Sequence, residues 1–178
     1  MRTLVIVAHP GLHEGSRINR ELTEMVRYNH EVTVHDLYQR YPDGHIDIEA
    51  EHQLLLQHER IVFQFPFWWY SSPPLLKHWF DEVLTFGWAY GPGGDKLQGK
   101  EWGLAVTTGG AAEAYGSEGY NRYTVEELTR PYEVTASLVG AIYLPVFTVH
   151  NAIQLTDEEL RRHAEDFALH VTGSVRSR

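Results

Sequence analysis

The chain predicts an α/β fold in which a parallel sheet is covered by helices on both faces, and three observations lead there. Apolar runs of strand length alternate with segments of helical periodicity along the 178 residues. The first run, Leu4-Val-Ile-Val-Ala8, is apolar without alternation, as in a strand buried on both sides. Strands separated by helices require right-handed crossovers, which place helices on both faces of the sheet. With a hydrophobic fraction of 43%, this length suits one domain spanning residues 1–178.

Each element has its own signal. After the first strand comes His9-Pro-Gly, then Ser16 as a candidate N-cap before a helix with apolar positions Ile18, Leu22, Met25 and Val26. Val32 to Asp36 reads as a second strand, Asp47 to His58 as a helix and Arg60 to Phe65 as a third strand. Pro73 and Pro74 suit the first turn of a helix carrying Leu75, Leu76, Trp79, Phe80, Val83 and Leu84, ending near Gly87. A Gly-rich loop from Gly91 leads to a fourth strand, Trp102 to Thr108, which ends at Gly109-Gly110 before a mobile loop. Thr124 and Glu127 have capping-box spacing ahead of a helix to about Val139, which Pro131 threatens to interrupt. Ala141 to Val149 is the fifth strand. Thr156 and Glu159 repeat the capping-box spacing before a final amphipathic helix through Leu169.

For five such strands the expected sheet is flavodoxin-like, in the order 2-1-3-4-5. Ligands in that arrangement bind beyond the carboxyl ends of strands one, three and four, at the switch point. Those ends carry His9 to Ser16, Pro66 to Trp69 and Thr107 to Gly110.

Composition narrows the function. A formal charge of -9 argues against sequence-independent nucleic-acid binding, which needs clustered Lys and Arg. The absence of cysteine excludes disulfides, thiolate metal sites and a cysteine nucleophile, so redox chemistry would need a cofactor. No apolar run reaches membrane-spanning length, and Met1 leads directly into the first strand without a separate leader, so a cytoplasmic location is expected.

At the first strand end, the amides that open the helix point toward any anion placed there, and Ser16 and Asn19 offer side-chain donors. A phosphate monoester suits this site, although the segment lacks the triphosphate-loop and dinucleotide-binding glycine patterns. Ser16 as a plain helix cap explains the same residue equally well. His9 and His13 are four apart, but Pro10 and Gly11 between them argue against a helical zinc pair, and no metal is expected. Phe63 to Tyr90 holds eleven of the twenty-two aromatic residues, a density that points to an apolar interface or a pocket for a flat ring. Any one of these rings could be core. Phe67, Trp68 and Trp69, being consecutive, cannot all face one core. Thr107-Thr-Gly-Gly110 allows close backbone approach, and Tyr115 is a phenol able to donate to an oxygen that gains charge, or simply a loop tyrosine.

These residues together resemble the flavodoxin-like NAD(P)H:quinone oxidoreductases, especially the bacterial general stress protein 14 and potassium-efflux ancillary protein branch. The resemblance covers nearly the whole chain. It is most specific in Gln64 to Trp79 and Phe86 to Gly91, supported by Ala8-His-Pro10, Tyr41-Pro-Asp43 and Thr107 to Gly110. It implies a noncovalent flavin, with the phosphate at His9 and at Ser16, Arg17, Ile18 and Asn19. The isoalloxazine falls at Pro66, Phe67, Trp68 and Trp69 and at Thr107, Thr108, Gly109 and Gly110. It also implies two-electron hydride transfer from NADH or NADPH to a quinone by a ping-pong route. In that scheme Trp68 walls the acceptor site, Tyr115 assists charge development, and Tyr90 reaches the active site of the other subunit of a homodimer. The helix from Leu75 to Leu84 is expected to pack at that dimer interface. The larger animal relatives carry a histidine where this chain has Asn121, so their tyrosine-histidine relay does not carry over; likewise His52 stands where a flavin-contacting glutamine is common. The chain also lacks the C-terminal extension of FAD-binding relatives, which favours FMN over FAD. The other function implied is that of a flavin-binding ancillary subunit of a glutathione-gated potassium efflux system, held at the inner face of the membrane through its partner.

Overall fold

The computed structural model describes residues 1–173. Its elements in chain order are β1 (Thr3–Val7), α1 (Ile18–Arg27), β2 (Val32–Asp36), α2 (Leu37–Arg40), α3 (Ile48–Leu56), β3 (Arg60–Pro66), α4 (Pro74–Val83) and β4 (Glu101–Thr107). A 3-10 turn at Ala112–Ala114 follows, then α5 (Val125–Leu128), α6 (Arg130–Leu138), β5 (Ile142–Tyr143), β6 (Phe147–Val149) and α7 (Asp157–Thr172). The order β2-β1-β3-β4-β5 is as expected, and every pairing is parallel.

β1 and β3 are buried at every position, which explains their unbroken apolar runs: each pleat packs on a helical layer. On one face Leu4, Ile6, Ile61, Phe63 and Leu104 pack against Leu37 of α2, Leu55 of α3 and Leu76, Trp79 and Val83 of α4. On the other, Val5, Val7, Val62 and Ala105 meet Ile18, Leu22 and Val26 of α1 and Leu160, Ala164 and Phe167 of α7. Both helices with capping-box spacing begin as predicted, with Thr124 and Thr156 accepting the amides of Glu127 and Glu159.

Four expectations change. The fifth strand is two short segments, β5 beside Glu101 and Trp102 and β6 beside Ala105 to Thr107. Pro145 lies between them and has no amide to donate to a ladder. The helix expected from Thr124 to Val139 divides at Thr129, because Pro131 occupies the first turn of α6, where a missing amide costs nothing. The helix from Pro74 buries Leu75, Leu76, Trp79 and Val83 within its own chain, leaving Lys77, His78, Asp81 and Glu82 outward, so the apolar residues expected to face a partner are core. Ser16 does not cap α1: Arg17 holds the N-cap position with φ −75° and ψ −49°, and no side chain among the described residues caps that helix.

Among the described residues, no helix is long and apolar enough to cross a membrane.

Candidate functional site

A cavity of about 550 Å³ opens beyond the carboxyl ends of β1, β3 and β4, where the strand order predicts a ligand. It gathers His9, Ser16, Arg17, Ile18, Asn19, Pro66, Phe67, Trp68, Thr107, Thr108 and Gly109. Gly15 lies in the His9 to Ser16 loop already expected there, whereas sequence reasoning missed Ala152 and Ile153, which complete the lining. Ala152 and Ile153 come from the loop after β6, whose return over the cavity depends on backbone bonds from Asn151 to Gly110 at 2.9 Å and from Ala152 to Thr108 at 3.0 Å. No local pattern announces such a contact.

The floor is a buried polar network. Asn19 Nδ2 donates to Thr107 Oγ1 at 2.9 Å, and Gln64 Nε2 donates to the Asn19 carbonyl at 2.8 Å and to Thr23 Oγ1 at 3.1 Å. These bonds tie the first turn of α1 to β3 and β4, so the opening of that helix is held in place from beneath. Because no side chain caps α1, the amides of its first turn stay free for an acceptor.

His9 borders this end. The Gly11 amide donates to His9 Nδ1 at 3.1 Å, which requires the hydrogen of a neutral ring to sit on Nε2. Burial lowers the His9 pKa from its usual value, against weaker opposing pulls from a backbone bond and from Asp36. The ring is thus a neutral donor beside an uncapped helix start. Arg17 contributes differently: its guanidinium turns to the Leu155 carbonyl at 2.7 Å and to Asp157, and so ties α1 to the start of α7. His13 pairs with Asp36 at 3.1 Å, and both line a smaller hollow that His9 also borders.

The opposite wall is aromatic. Phe67 is half-buried against the core and its amide donates to the Thr107 carbonyl at 2.8 Å, while Trp68 is 46% exposed at the cavity edge. Trp69 is 93% exposed and leaves the cavity altogether. The cause is a tight turn. Trp68 and Ser71 exchange backbone bonds of 2.9 and 3.0 Å, with Trp69 and Tyr70 between them at φ 47° and 62°. Positive φ at two bulky residues is uncommon and costs about 1–3 kcal/mol each. Tyr70 OH donates to Asn121 Oδ1 at 2.9 Å and so joins this turn to the loop over Gly110.

Gly110 and Tyr115 stand just behind the wall. A Cβ on Gly110 would lie 3.1 Å from Tyr120 OH and 3.3 Å from the Tyr115 ring, so a side chain there would crowd both rings. Burial raises the Tyr115 pKa, so its phenol keeps its proton. Tyr90 lies outside this cavity, with its ring edge to face with Phe86 at 5.7 Å. His52 stacks on Trp88 at 3.6 Å and approaches the Val83 carbonyl at 2.8 Å, which ties α3 to the end of α4 and to the segment after it, outside the cavity lining.

A family model described as flavodoxin-like fold matches residues 1–171. The chain belongs to this flavodoxin-like family. Within it, the chain is 53% identical over 173 residues to YdeQ of Bacillus subtilis, named an uncharacterized NAD(P)H oxidoreductase, covering 97% of this chain and 87% of the relative. It is 42% identical over 166 residues to the glutathione-regulated potassium-efflux ancillary protein KefG of Erwinia tasmaniensis, covering 93% and 90%. Among solved structures, general stress protein 14 of Treponema denticola in complex with FMN superposes with a TM-score of 0.91 and 41% identity, covering 96% of this chain and 98% of that one. A structure described as a thermophilic tryptophan halogenase from Streptomycin violaceusniger has a TM-score of 0.94 and 44% identity, covering 96% and 99%. The activities named for these proteins differ, while the fold and at least 41% of the sequence are shared with this chain over nearly its whole length.

Proposed function

We propose that the chain is an FMN-dependent NAD(P)H:quinone oxidoreductase. The observation that carries this reading is the joining, in one cavity, of an uncapped helix start and a neutral histidine donor with an aromatic wall. The first pair suits a phosphate monoester, and the second suits a flat ring. The volume lies within the range of small-molecule sites.

His9 and the amides of Ile18 and Asn19 hold the phosphate, and Pro66 to Trp68 and Thr107 to Gly110 hold the ring. When bound there, FMN supplies the two-electron, hydride-accepting chemistry. Trp68 stands at the mouth, where it offers one stacking face to the nicotinamide and then to the quinone, in ping-pong order. Tyr115 keeps its proton and donates toward oxygen that gains charge. The exposed rings of Trp69 and Phe86 suit a second copy of the chain, with the half-buried Tyr90 beside Phe86 reaching into that copy's cavity. YdeQ, named as an NAD(P)H oxidoreductase, and the FMN complex of the Treponema protein support the reading.

The test is to load purified protein with FMN, record its visible spectrum and measure NAD(P)H oxidation with menadione. Flavin-loaded protein that does not turn over sinks the enzyme reading. A second reading, an ancillary subunit of a potassium efflux system, draws on the likeness to KefG. Co-purification with a membrane efflux protein, with little turnover, would favour it.

A further inference from the structure

Behind the Thr107 to Gly110 wall lies a second cavity, of about 370 Å³, from whose lining the proposed function uses only Tyr115. Tyr115, Thr124, Glu126, Thr148 and His150 line it. The buried hydroxyl of Thr148 has no hydrogen-bond partner among the described residues. A polar space with such a group is where ordered water sits. Tyr115 packs its ring against His150 with centroids 5.3 Å apart.

One side chain joins the two cavities. Thr108 lines the larger, and its Oγ1 lies 3.0 Å from Nδ1 of His150, which lines the smaller. Thr108 Oγ1 also donates to the Gly110 carbonyl at 2.8 Å. A hydroxyl has one hydrogen, so with that hydrogen on Gly110 the 3.0 Å contact must be donated by His150 Nδ1–H. Nε2 of a neutral ring then carries the lone pair.

We infer that His150 and Thr108 form a proton-supply line from the smaller cavity to the larger, serving the quinone reduction proposed above and resting on that reading. The stoichiometry calls for one. NAD(P)H, a quinone and one proton give NAD(P)⁺ and hydroquinone: the nicotinamide loses a hydride, the quinone gains two electrons, and one proton comes from water. That proton binds His150 Nε2, the Nδ1 hydrogen passes to Thr108 Oγ1, and the original hydroxyl hydrogen gives up its bond to the Gly110 carbonyl and leaves toward the acceptor oxygen. Exchange with water restores the starting tautomer.

The surroundings permit this. Burial holds the His150 pKa below its ordinary value, while Glu126 of α5 and Glu113 of the 3-10 turn pull it up and His163 of α7 pushes it down. Tyr115, the remaining titratable neighbour, stays neutral because burial raises its pKa. His150 is then unprotonated near neutrality and ready to accept at Nε2. His150 acts through Thr108 and is therefore a positioning residue.

The test has two independent readouts. In the purified protein without turnover, ¹⁵N NMR of the histidines should show His150 as the Nδ1–H tautomer, and Thr108→Val should abolish that preference. With FMN bound, menadione reduction should speed up as pH falls and level off once His150 is protonated. His150→Gln should remove that dependence and slow the acid plateau by about a hundredfold, at the lower end of general acid–base effects. An Nε2–H tautomer, or a pH profile unchanged in His150→Gln, overturns the inference. If wild-type protein binds FMN but reduces no quinone, the parent reading fails, and the tautomer still reports on the pair by itself. A His150→Gln variant that lowers stability or FMN affinity yet keeps the wild-type pH profile identifies a purely structural residue and also overturns it.

Discussion

On the floor of the larger cavity, Asn19, Thr23, Gln64 and Thr107 are buried and hydrogen-bonded across α1, β3 and β4, whereas at the rim Trp68, Trp69 and Tyr70 stand exposed on a strained two-residue turn. The two regions divide the work of a binding site. The floor fixes the helix start that would meet an anion, and a residue there cannot change without unpairing its neighbours. The rim is tied down by two backbone bonds and one side-chain bond from Tyr70 to Asn121, so it can change shape at little cost to the core. Rigid anchoring at one end and tolerance at the other suit a constant cofactor and varied acceptors.

The largest expected effect lies on the floor. Gln64→Leu removes one buried partner from the Asn19 carbonyl and one from the Thr23 hydroxyl, which keep the 2.8 Å bond between them. It should cost about 2–3 kcal/mol, read as a lower urea midpoint at unchanged slope. A smaller loss, in binding, belongs to the anion end: His9→Ala should weaken FMN by about tenfold, close to 1.4 kcal/mol, with riboflavin affected far less. Equal losses for both ligands would place His9 away from the phosphate.

A buried network on the opposite face extends the contrast. Glu51, 1% exposed, accepts from Tyr41 OH at 2.6 Å and Trp79 Nε1 at 2.7 Å and meets His35 at 2.8 Å. Burial alone raises its pKa, but the bond and charge of His35 and the bonds of Tyr41 and Trp79 together hold it below the usual value. Its stabilising contribution is therefore complete above the unfolded-state carboxyl pKa and is lost as pH falls through the lower folded value. Glu51→Gln should flatten that acid decline in urea titrations. The smallest effect belongs to the rim: Trp69→Asn relieves a positive φ and should raise stability by about 0.5–1 kcal/mol, seen as a higher melting temperature. Destabilisation would mean that the turn is not strained.

Much of this architecture was legible because it rests on local pattern. The unbroken run at Leu4 to Ala8 and the Thr124 and Thr156 capping boxes gave strand and helix starts within a residue or two. The switch point then named most of the cavity lining. What escaped was set by tertiary contact. Ser16 satisfied the rule for a cap, but its amide is drawn back to the Gly11 carbonyl at 3.1 Å and the helix starts after Arg17. Trp69 was expected inside because its neighbours are, yet a turn usually reserved for Gly and Asn carries it outward. Ile153 was invisible because a loop some forty residues from Gly110 brings it to the wall.

The claim that this cavity is built for a flavin mononucleotide is tested most directly by titrating the protein with FMN and with riboflavin, following flavin fluorescence in both. The account predicts saturable quenching by one FMN per chain and binding of riboflavin weaker by at least about tenfold, a gap that His9→Ala narrows. No binding of FMN, or equal affinity for both ligands, would contradict it.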